Sequence, residues 1–394
     1  MTLAARTIDG ITPREVVSAQ SAEELAAALR AADEAGHAVA AVGGGTQLDL
    51  GMPPSRLDVV IETTSLNNVV EYEPADLTVT VEAGMRFGEL QRMLGEQGQM
   101  LALDPPVEDG ATLGGVIATN VSGPLRFAYG TARDLVIGTR VANPDGTITH
   151  AGGRVVKNVA GYDLNKLYIG SLGTLAIVVE LSFKLAPIPP ATATVSGEFE
   201  GAQQVRELVA AVVRSPLSPL AIELIGSRQV VFRVGGYPQA VERQVRDLSA
   251  LITDGGGRLT ETAWEDLQRQ RLEARRRDVL LKATAPISQS ATLVEILERN
   301  LSALAPQVWA HAGNGIAYAA CEAPSDASVV QTTRMEVCAL GANASMVIER
   351  CPTPLKASID VWGDPGPSIA LMRAIKTKLD PRGTLNPGRY VGGI

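Results

Sequence analysis

Residues 37–47 read HAVAAVGGGTQ. The apolar run from His37 to Val42 has the length of a short buried strand. It breaks off into Gly43-Gly44-Gly45-Thr46-Gln47. Consecutive glycines at a strand end let backbone N–H groups converge on an anion with no Cβ in the way. The dinucleotide fingerprint G-x-G-x-x-G does not fit, because Leu48 stands at its third glycine. No phosphate loop of the G-x-x-x-x-G-K-S/T type occurs either. Alone, the stretch reads equally well as a tight turn.

The flanks place this loop in a domain. Upstream, Ser21-Ala-Glu-Glu24 is a capping box that starts a helix, and Gly36 ends it. Downstream, strands are expected at 57–62 and 77–82, and a helix at 87–96. A loop at 101–130 is too long to be idle in a compact domain. Strands at 135–142 and 147–150 flank the turn Asn143-Pro144-Asp145-Gly146. A further strand at 175–185 runs into Pro187, Pro189 and Pro190, the best domain boundary in the chain. Beyond it, helices near 203–214, 239–253 and 291–303 alternate with strands near 221–225, 230–234, 308–311, 316–320 and 345–350. That texture predicts an α+β domain with an antiparallel sheet. A last helix at 368–379 leads into Asp380-Pro-Arg-Gly-Thr-Leu-Asn386-Pro-Gly388-Arg389-Tyr390.

Two more glycine loops lie in the first half. One is Thr112-Leu-Gly114-Gly115, followed by Val116-Ile-Ala-Thr119-Asn120-Val-Ser122-Gly123. The other is Lys157-Asn-Val-Ala-Gly161-Tyr-Asp-Leu164, with Gly170-Ser-Leu-Gly173 after it. Small residues with hydroxyl and amide groups suit a diphosphate and a ribose at close range. Of the 39 glycines, 21 fall between Gly36 and Gly173. Three such loops point to a nucleotide-type ligand, and Lys157 is a candidate for its diphosphate.

Composition removes other classes. The chain is 394 residues long and 45% hydrophobic, with a net charge of −8 and no basic stripe, which argues against nucleic acid. The one basic cluster, Arg269, Arg271, Arg275, Arg276 and Arg277, is interspersed with acids and reads as a solvated helix face. Cys321, Cys338 and Cys351 match no zinc, iron–sulfur or redox spacing and read as inert core residues in a reducing compartment. The chain reads as cytoplasmic, with no direct membrane insertion; contact with the inner membrane would come through partners.

The order GGGTQ, DPP, TLGGVIATN, YGTARD, VKNVAGYDLNKL, GSLGTLAIV and the tail DPRGTLNPGR resembles the FAD-linked oxidase superfamily of the vanillyl-alcohol-oxidase type. The stretch 155–180 is similar to the FAD-binding, GlcE-type subunit of bacterial glycolate oxidase. The resemblance implies an α+β fold: a two-subdomain PCMH-type FAD-binding domain at 1–190, a cap at 191–378, and a tail at 379–394 returning to the flavin domain. It implies that Gly43, Gly44, Gly45, Thr46 and Gln47 cradle the FAD diphosphate. Pro106, Thr112, Gly114, Gly115, Thr119, Asn120 and Ser122 would line the flavin and diphosphate. Gly173, Ile177 and Val178 would meet the cofactor through the backbone, and Asn386 and Arg389 would reach the isoalloxazine end. It also implies a sister flavoprotein subunit and an iron–sulfur subunit as partners, with a small 2-hydroxy acid as substrate.

Two departures qualify this. Some relatives bond flavin covalently through a histidine, but His37, His150 and His311 lie outside the flavin loops, so non-covalent FAD is expected. Relatives that oxidise 2-hydroxy acids alone resemble HAGDGNxH, whose histidines serve a metal and proton abstraction. Here the stretch is His311-Ala-Gly-Asn314-Gly-Ile-Ala-Tyr318, so no metal site is expected. Oxidation needs a general base and a carboxylate clamp. His311 is the candidate base, and Arg350 and Arg389 are the candidate clamps. Two roles stay open: an FAD subunit that oxidises the hydroxy acid, and an FAD-binding electron-transfer or assembly subunit that does not. A stand-alone flavin oxidase of an alcohol or a sugar is the third. The substrate cleft is expected where cap and tail converge.

Overall fold

The computed structural model describes residues 6–153 and 162–394. Lys157 and the glycine loop through Gly161 lie outside the described residues. The chain forms two compact units. The first holds Met1–Val121, Gly130–Ile188 and Asp364–Ile394; the second holds Ser122–Tyr129 and Pro189–Gly363. Compared with the expected division at 190 and 378, residues 122–129 group with the second unit and 364–378 with the first.

In the first unit, strands Glu15–Ser18, Val59–Glu62 and Val39–Val42 form a parallel sheet with Val59–Glu62 in the middle. Helix Ala22–Glu34 buries Leu25 and Leu29 against Val39 and Ile61. Its start follows from sequence: the Ser21 hydroxyl accepts the Glu24 N–H at 3.1 Å, and the Glu24 carboxylate accepts the Gln20 N–H at 2.9 Å. Five antiparallel strands make a second sheet, in the order Val69–Glu73, Thr78–Glu82, Ile177–Lys184, Val136–Ala142, Ile148–Gly152. Along Ile177–Lys184, burial alternates with period two, and Ile177, Val179, Leu181 and Phe183 point into the core.

The segment 101–130 is not one loop. Helix Leu113–Thr119 and a short turn of helix at Arg126–Tyr129 interrupt it. LGGVIAT has poor intrinsic helix propensity, so its pattern hides it. Its start is held by the Thr112 hydroxyl, which accepts the Gly115 N–H at 3.3 Å. The C-terminal tail lies beside the parallel sheet. Val39 N–H donates to Thr384 O at 2.7 Å, and Asn386 N–H donates to Val39 O at 2.8 Å. Lys376 fixes the tail by donating to Asp380 at 2.6 Å and to Leu385 O at 2.8 Å.

The second unit is built on an eight-stranded antiparallel sheet. Its order is Arg258–Thr260, Ala191–Glu198, Gln229–Gly236, Ala221–Ile225, Gln307–His311, Ile316–Cys321, Val279–Thr284, Ser345–Arg350. The strands at 191–198, 258–260 and 279–284 were not expected. The first begins at the proline run that reads as a boundary, and the last follows the arginine cluster.

That arginine cluster is a solvated face only in part: Arg269 and Arg276 are exposed, but Arg271 and Arg275 turn inward. Helix Trp264–Ala274 packs Ala274 into a core cluster with Trp309 and Tyr318. Arg271 is 5% exposed, and the Arg275 side chain is 11% exposed. Of the cysteines, Cys321 and Cys351 are buried, but Cys338 is exposed. Burial pushes the Cys321 thiol up to about 11, which keeps it protonated.

Candidate functional site

A cleft in the first unit opens at the end of strand Val39–Val42 and encloses about 630 Å³ of empty space, including its open mouth. Its walls are Gly43 to Gln47 on one side and Thr112, Gly115 and Thr119 on the other, with Leu172, Asn386 and Arg389 closing it. The glycines there answer to packing. A Cβ on Gly43 would lie 2.1 Å from the Thr112 hydroxyl oxygen, and one on Gly44 would lie 1.8 Å from Gly110 O. Only a bare backbone lets these two loops approach and leave a shallow cradle between them.

Two tail residues complete the cleft. Asn386 holds φ of 44° and donates through Nδ2 to Leu172 O at 2.7 Å. Its Oδ1 is buried in the cleft wall with no hydrogen-bond partner among the described residues. A buried acceptor left unpaired costs about 1–3 kcal/mol, so this atom calls for a donor from a ligand. Arg389 Nη2 donates to Leu48 O at 2.7 Å and to Leu50 O at 2.5 Å, which pins the segment after the glycines. Arg389 therefore belongs to the cradle. An anionic dinucleotide fits this donor and cation set.

Other expected flavin contacts lie elsewhere. Gly114 donates to Ala83 O at 2.7 Å and faces that strand end. Asn120 is the left-handed cap of helix Leu113–Thr119. Ser122 accepts from Arg126 Nη1 at 3.0 Å within the second unit. Ile177 and Val178 pack into core clusters. Gly173 sits beside the Asn386 amide. Pro106 is half-buried and does not line the cleft among the described residues.

The second unit gathers, around His311 and Tyr318, charged partners that motif reading did not reach. Strand register pairs Glu223 with His311, Trp309 with Tyr318, and Tyr318 with Lys282. Cross-strand partners share a face, so these side chains form one row over four strands. His311 Nδ1 lies 3.0 and 2.9 Å from the two Glu223 oxygens. Glu223 is fully buried, and Arg271 Nη2 lies 2.5 Å from its Oε2. Tyr318 stacks on Trp309 at 5.3 Å and meets His311 edge-on at 5.4 Å. Arg275 and Lys282 lie 5.5 and 6.0 Å from its ring centre. Glu349 pairs with Arg275 at 2.8 Å and Lys282 at 3.5 Å.

The electrostatics follow from burial. Desolvation holds His311 below its ordinary range; Glu223 opposes that shift, while Arg271 and Arg126 add to it. Lys282 is held above its ordinary range, first by Tyr318 and then by Glu349. Burial pushes the Glu349 carboxyl up, but Arg275 and Lys282 outweigh it, and the group sits below the usual carboxylate range. Arg350 donates through Nη1 to Arg275 O at 2.9 Å, which braces the chain carrying Arg275. Glu223 and Lys282 had one signal in sequence, a charge inside an apolar strand (AIELI, VLLKAT). Such a charge must be paired across the sheet. Among the described residues, no group of three or more His, Cys, Asp and Glu side chains is arranged to hold a metal.

Comparison with known proteins places the first unit. Residues 13–152 match the family profile described as FAD binding domain, and residues 365–390 match that of FAD linked oxidases, C-terminal domain. The chain carries the FAD binding domain of FAD-linked oxidoreductases, and FAD is its cofactor. It is 26% identical to glycolate oxidase subunit GlcD of Bacillus subtilis, covering 96% of this chain and 88% of that protein. It is 31% identical to glycolate oxidase subunit GlcE of Escherichia coli over 58% of this chain and 63% of that one. A mitochondrial D-lactate dehydrogenase (cytochrome) of Saccharomyces cerevisiae is 27% identical, covering 96% and 72%. The structure of p-cresol methylhydroxylase with substrate bound superposes with a TM-score of 0.74 at 15% identity, covering 95% of this chain and 88% of that one. The α+β PCMH-type fold is shared. Among the described residues, no helix is long and apolar enough to cross a membrane.

Proposed function

We propose that this chain is the FAD-binding, GlcE-type subunit of a complex that oxidises a small 2-hydroxy acid, glycolate to glyoxylate, and hands the electrons to partner subunits. One observation carries the reading: a single chain joins a glycine-built flavin cleft to a buried histidine–carboxylate pair flanked by cations. Removing two electrons from a 2-hydroxy acid requires a base for the hydroxyl proton, a cation for the carboxylate and a hydride acceptor. Bound FAD supplies the acceptor. Gly43 to Gln47, Thr112, Gly115 and Arg389 would hold its diphosphate, and Asn386 Oδ1 would accept from an N–H or O–H group elsewhere on the cofactor, without a covalent bond. His311 takes the hydroxyl proton. Arg275 and Lys282 attract the substrate carboxylate, the role first assigned to Arg350 and Arg389. Relatives named as glycolate oxidase subunits support assembly with a sister flavoprotein and an iron–sulfur subunit. The complex works in the cytoplasm, and its partners make any membrane contact.

A second reading keeps FAD but removes substrate oxidation from this chain. It is favoured by Asn314 and Tyr318, which stand where the self-sufficient pattern has an acid and a histidine. Anaerobic mixing of the FAD-loaded chain with glycolate and with D-lactate separates the two. Bleaching of the flavin at catalytic rates is expected. An unchanged flavin spectrum with both acids overturns oxidation by this chain and leaves electron transfer. A chain that does not retain FAD overturns both readings.

A further inference from the structure

Glu223 has no assigned role, yet it is a fully buried carboxylate. A carboxylate buried without partners is destabilised by several kcal/mol. Here one carboxylate serves two neighbours. Arg271, from helix Trp264–Ala274, meets its Oε2, and His311, from the adjacent strand, meets both oxygens through Nδ1. The register Glu223–His311 places the two residues opposite each other on adjacent strands, so their side chains share one face.

A carboxylate accepts hydrogen bonds and cannot donate them. The imidazole nitrogen that faces it must carry the proton. We propose that Glu223 is the positioning residue of His311: it locks the Nδ1–H tautomer and leaves the Nε2 lone pair free to take a substrate proton, with Arg271 holding the carboxylate in place. The inference rests on His311 as the base in the reading above. It adds what makes that base competent. When Nε2 takes the hydroxyl proton, the new imidazolium charge forms against the Glu223 carboxylate, which stabilises it. Arg271 opposes that charge and limits how basic the ring becomes. The charged and titratable groups that face the ring are Glu223, Arg271, Arg126 and Tyr318.

The chain has three histidines, and only His311 is buried, since His37 is half-buried and His150 exposed. Selective ¹⁵N-histidine labelling of the FAD-loaded chain therefore gives three ring spin systems. His311 is the one whose signal disappears in His311→Gln. The wild-type ring is expected as the Nδ1–H tautomer, titrating below the ordinary imidazole range. Glu223→Gln keeps an acceptor oxygen but loses the charge. Its ring should stay Nδ1–H and titrate lower still, with kcat for glycolate falling about 10²-fold and KM little changed. Glu223→Leu should release the tautomer. Arg271→Gln should shift the His311 titration upward, opposite in sign to Glu223→Gln. A packing role alone predicts no such pair of opposite shifts.

A wild-type ring found as Nε2–H overturns the proposal, and needs no variant that could misfold. Shifts of equal sign in the two variants overturn it as well. A chain that leaves glycolate and D-lactate untouched refutes oxidation by this chain, while the ring spectra still decide the tautomer.

Discussion

Gly44 in the first unit is exposed and cannot accept a side chain; Glu223 in the second is fully buried and cannot lose its own. The contrast extends to the two sites around them. The flavin cleft is made of backbone brought close by missing Cβ atoms, with one amide and one guanidinium from the tail. The row across the eight-stranded sheet is made of charged and aromatic side chains on ordinary strands, met by Arg271 and Arg275 from helix Trp264–Ala274 and its end. A cleft of the first kind tolerates almost no added volume. A row of the second kind tolerates volume but not an unbalanced charge.

The largest expected effect tests the first half of that contrast. In Gly44→Ala, the new Cβ would meet Gly110 O at 1.8 Å, and a backbone carbonyl cannot swing aside as a side-chain tip can. The two loops must part, and FAD affinity should fall by about 10²-fold or more, roughly 3 kcal/mol. Gly88 is the control, because a Cβ there meets nothing within 4 Å in helix Phe87–Gly95. Gly88→Ala should leave FAD binding alone and add about 0.5–1 kcal/mol of stability. Flavin fluorescence titration and urea unfolding measure both. Equal FAD affinity in the two variants would break the account of the cleft.

The second half is tested by charge. Arg271→Gln strands the Glu223 carboxylate with His311 alone and should cost about 3–5 kcal/mol in urea unfolding. The double variant Glu223→Gln with Arg271→Gln removes both charges and should recover most of that loss. If the double variant is as unstable as the sum of the two singles, the pair is not coupled, and the second unit obeys the same volume rule as the first.

Asn386 belongs to both descriptions, as a polar side chain on a strained backbone. Asn386→Gly relieves the φ of 44° and deletes the unpaired Oδ1. The change also removes the Nδ2 bond to Leu172 O, so unfolding stability should change by less than about 1 kcal/mol, while FAD affinity drops about fivefold to tenfold, the worth of one hydrogen bond. A fall in stability with FAD affinity intact would mean that the amide serves the fold and not the cofactor.

The same contrast explains what could be read from sequence. Gly43 to Thr46, Thr112 and the tail at Asn386 announce themselves, because a site made of backbone must be written in glycine and small residues. The helix over Leu113–Thr119 escaped, since those same glycines erase its periodicity. In the second unit, the strands Ala221–Ile225 and Ser345–Arg350 were legible as apolar runs. Glu223, Arg271, Arg275 and Lys282 were not legible as a site. Their meeting depends on a register linking segments nearly sixty residues apart, from Glu223 to Lys282. The arginine cluster looked solvated because its pattern of intermixed charges is the same whether the partners are water or a buried carboxylate.

The smallest expected effect is a slope. Burial lowers the His311 value in the folded chain below 6.5, the ordinary imidazole value. Between the two values the unfolded chain binds more protons than the folded one, so stability rises with pH across that window. The stability is fully present above about pH 6.5 and is lost as the pH falls toward the folded value. The depressed carboxyls of the first unit, Glu62, Asp134 and Asp145, act with the same sign, but only as the pH falls through and below the ordinary range of 3.8–4.5. Between pH 5 and 7 the His311 slope is opposed, among the described residues, only by Glu180 of the first unit, whose carboxyl burial raises, so the difference in urea unfolding between wild type and His311→Gln reports the second unit. His311→Gln should flatten the dependence in that interval and leave the acid limb below it unchanged. An equally steep dependence in the variant would show that the row is solvated enough to titrate freely. The difference between a site built from backbone and one built from buried charge would then fail at its most direct point.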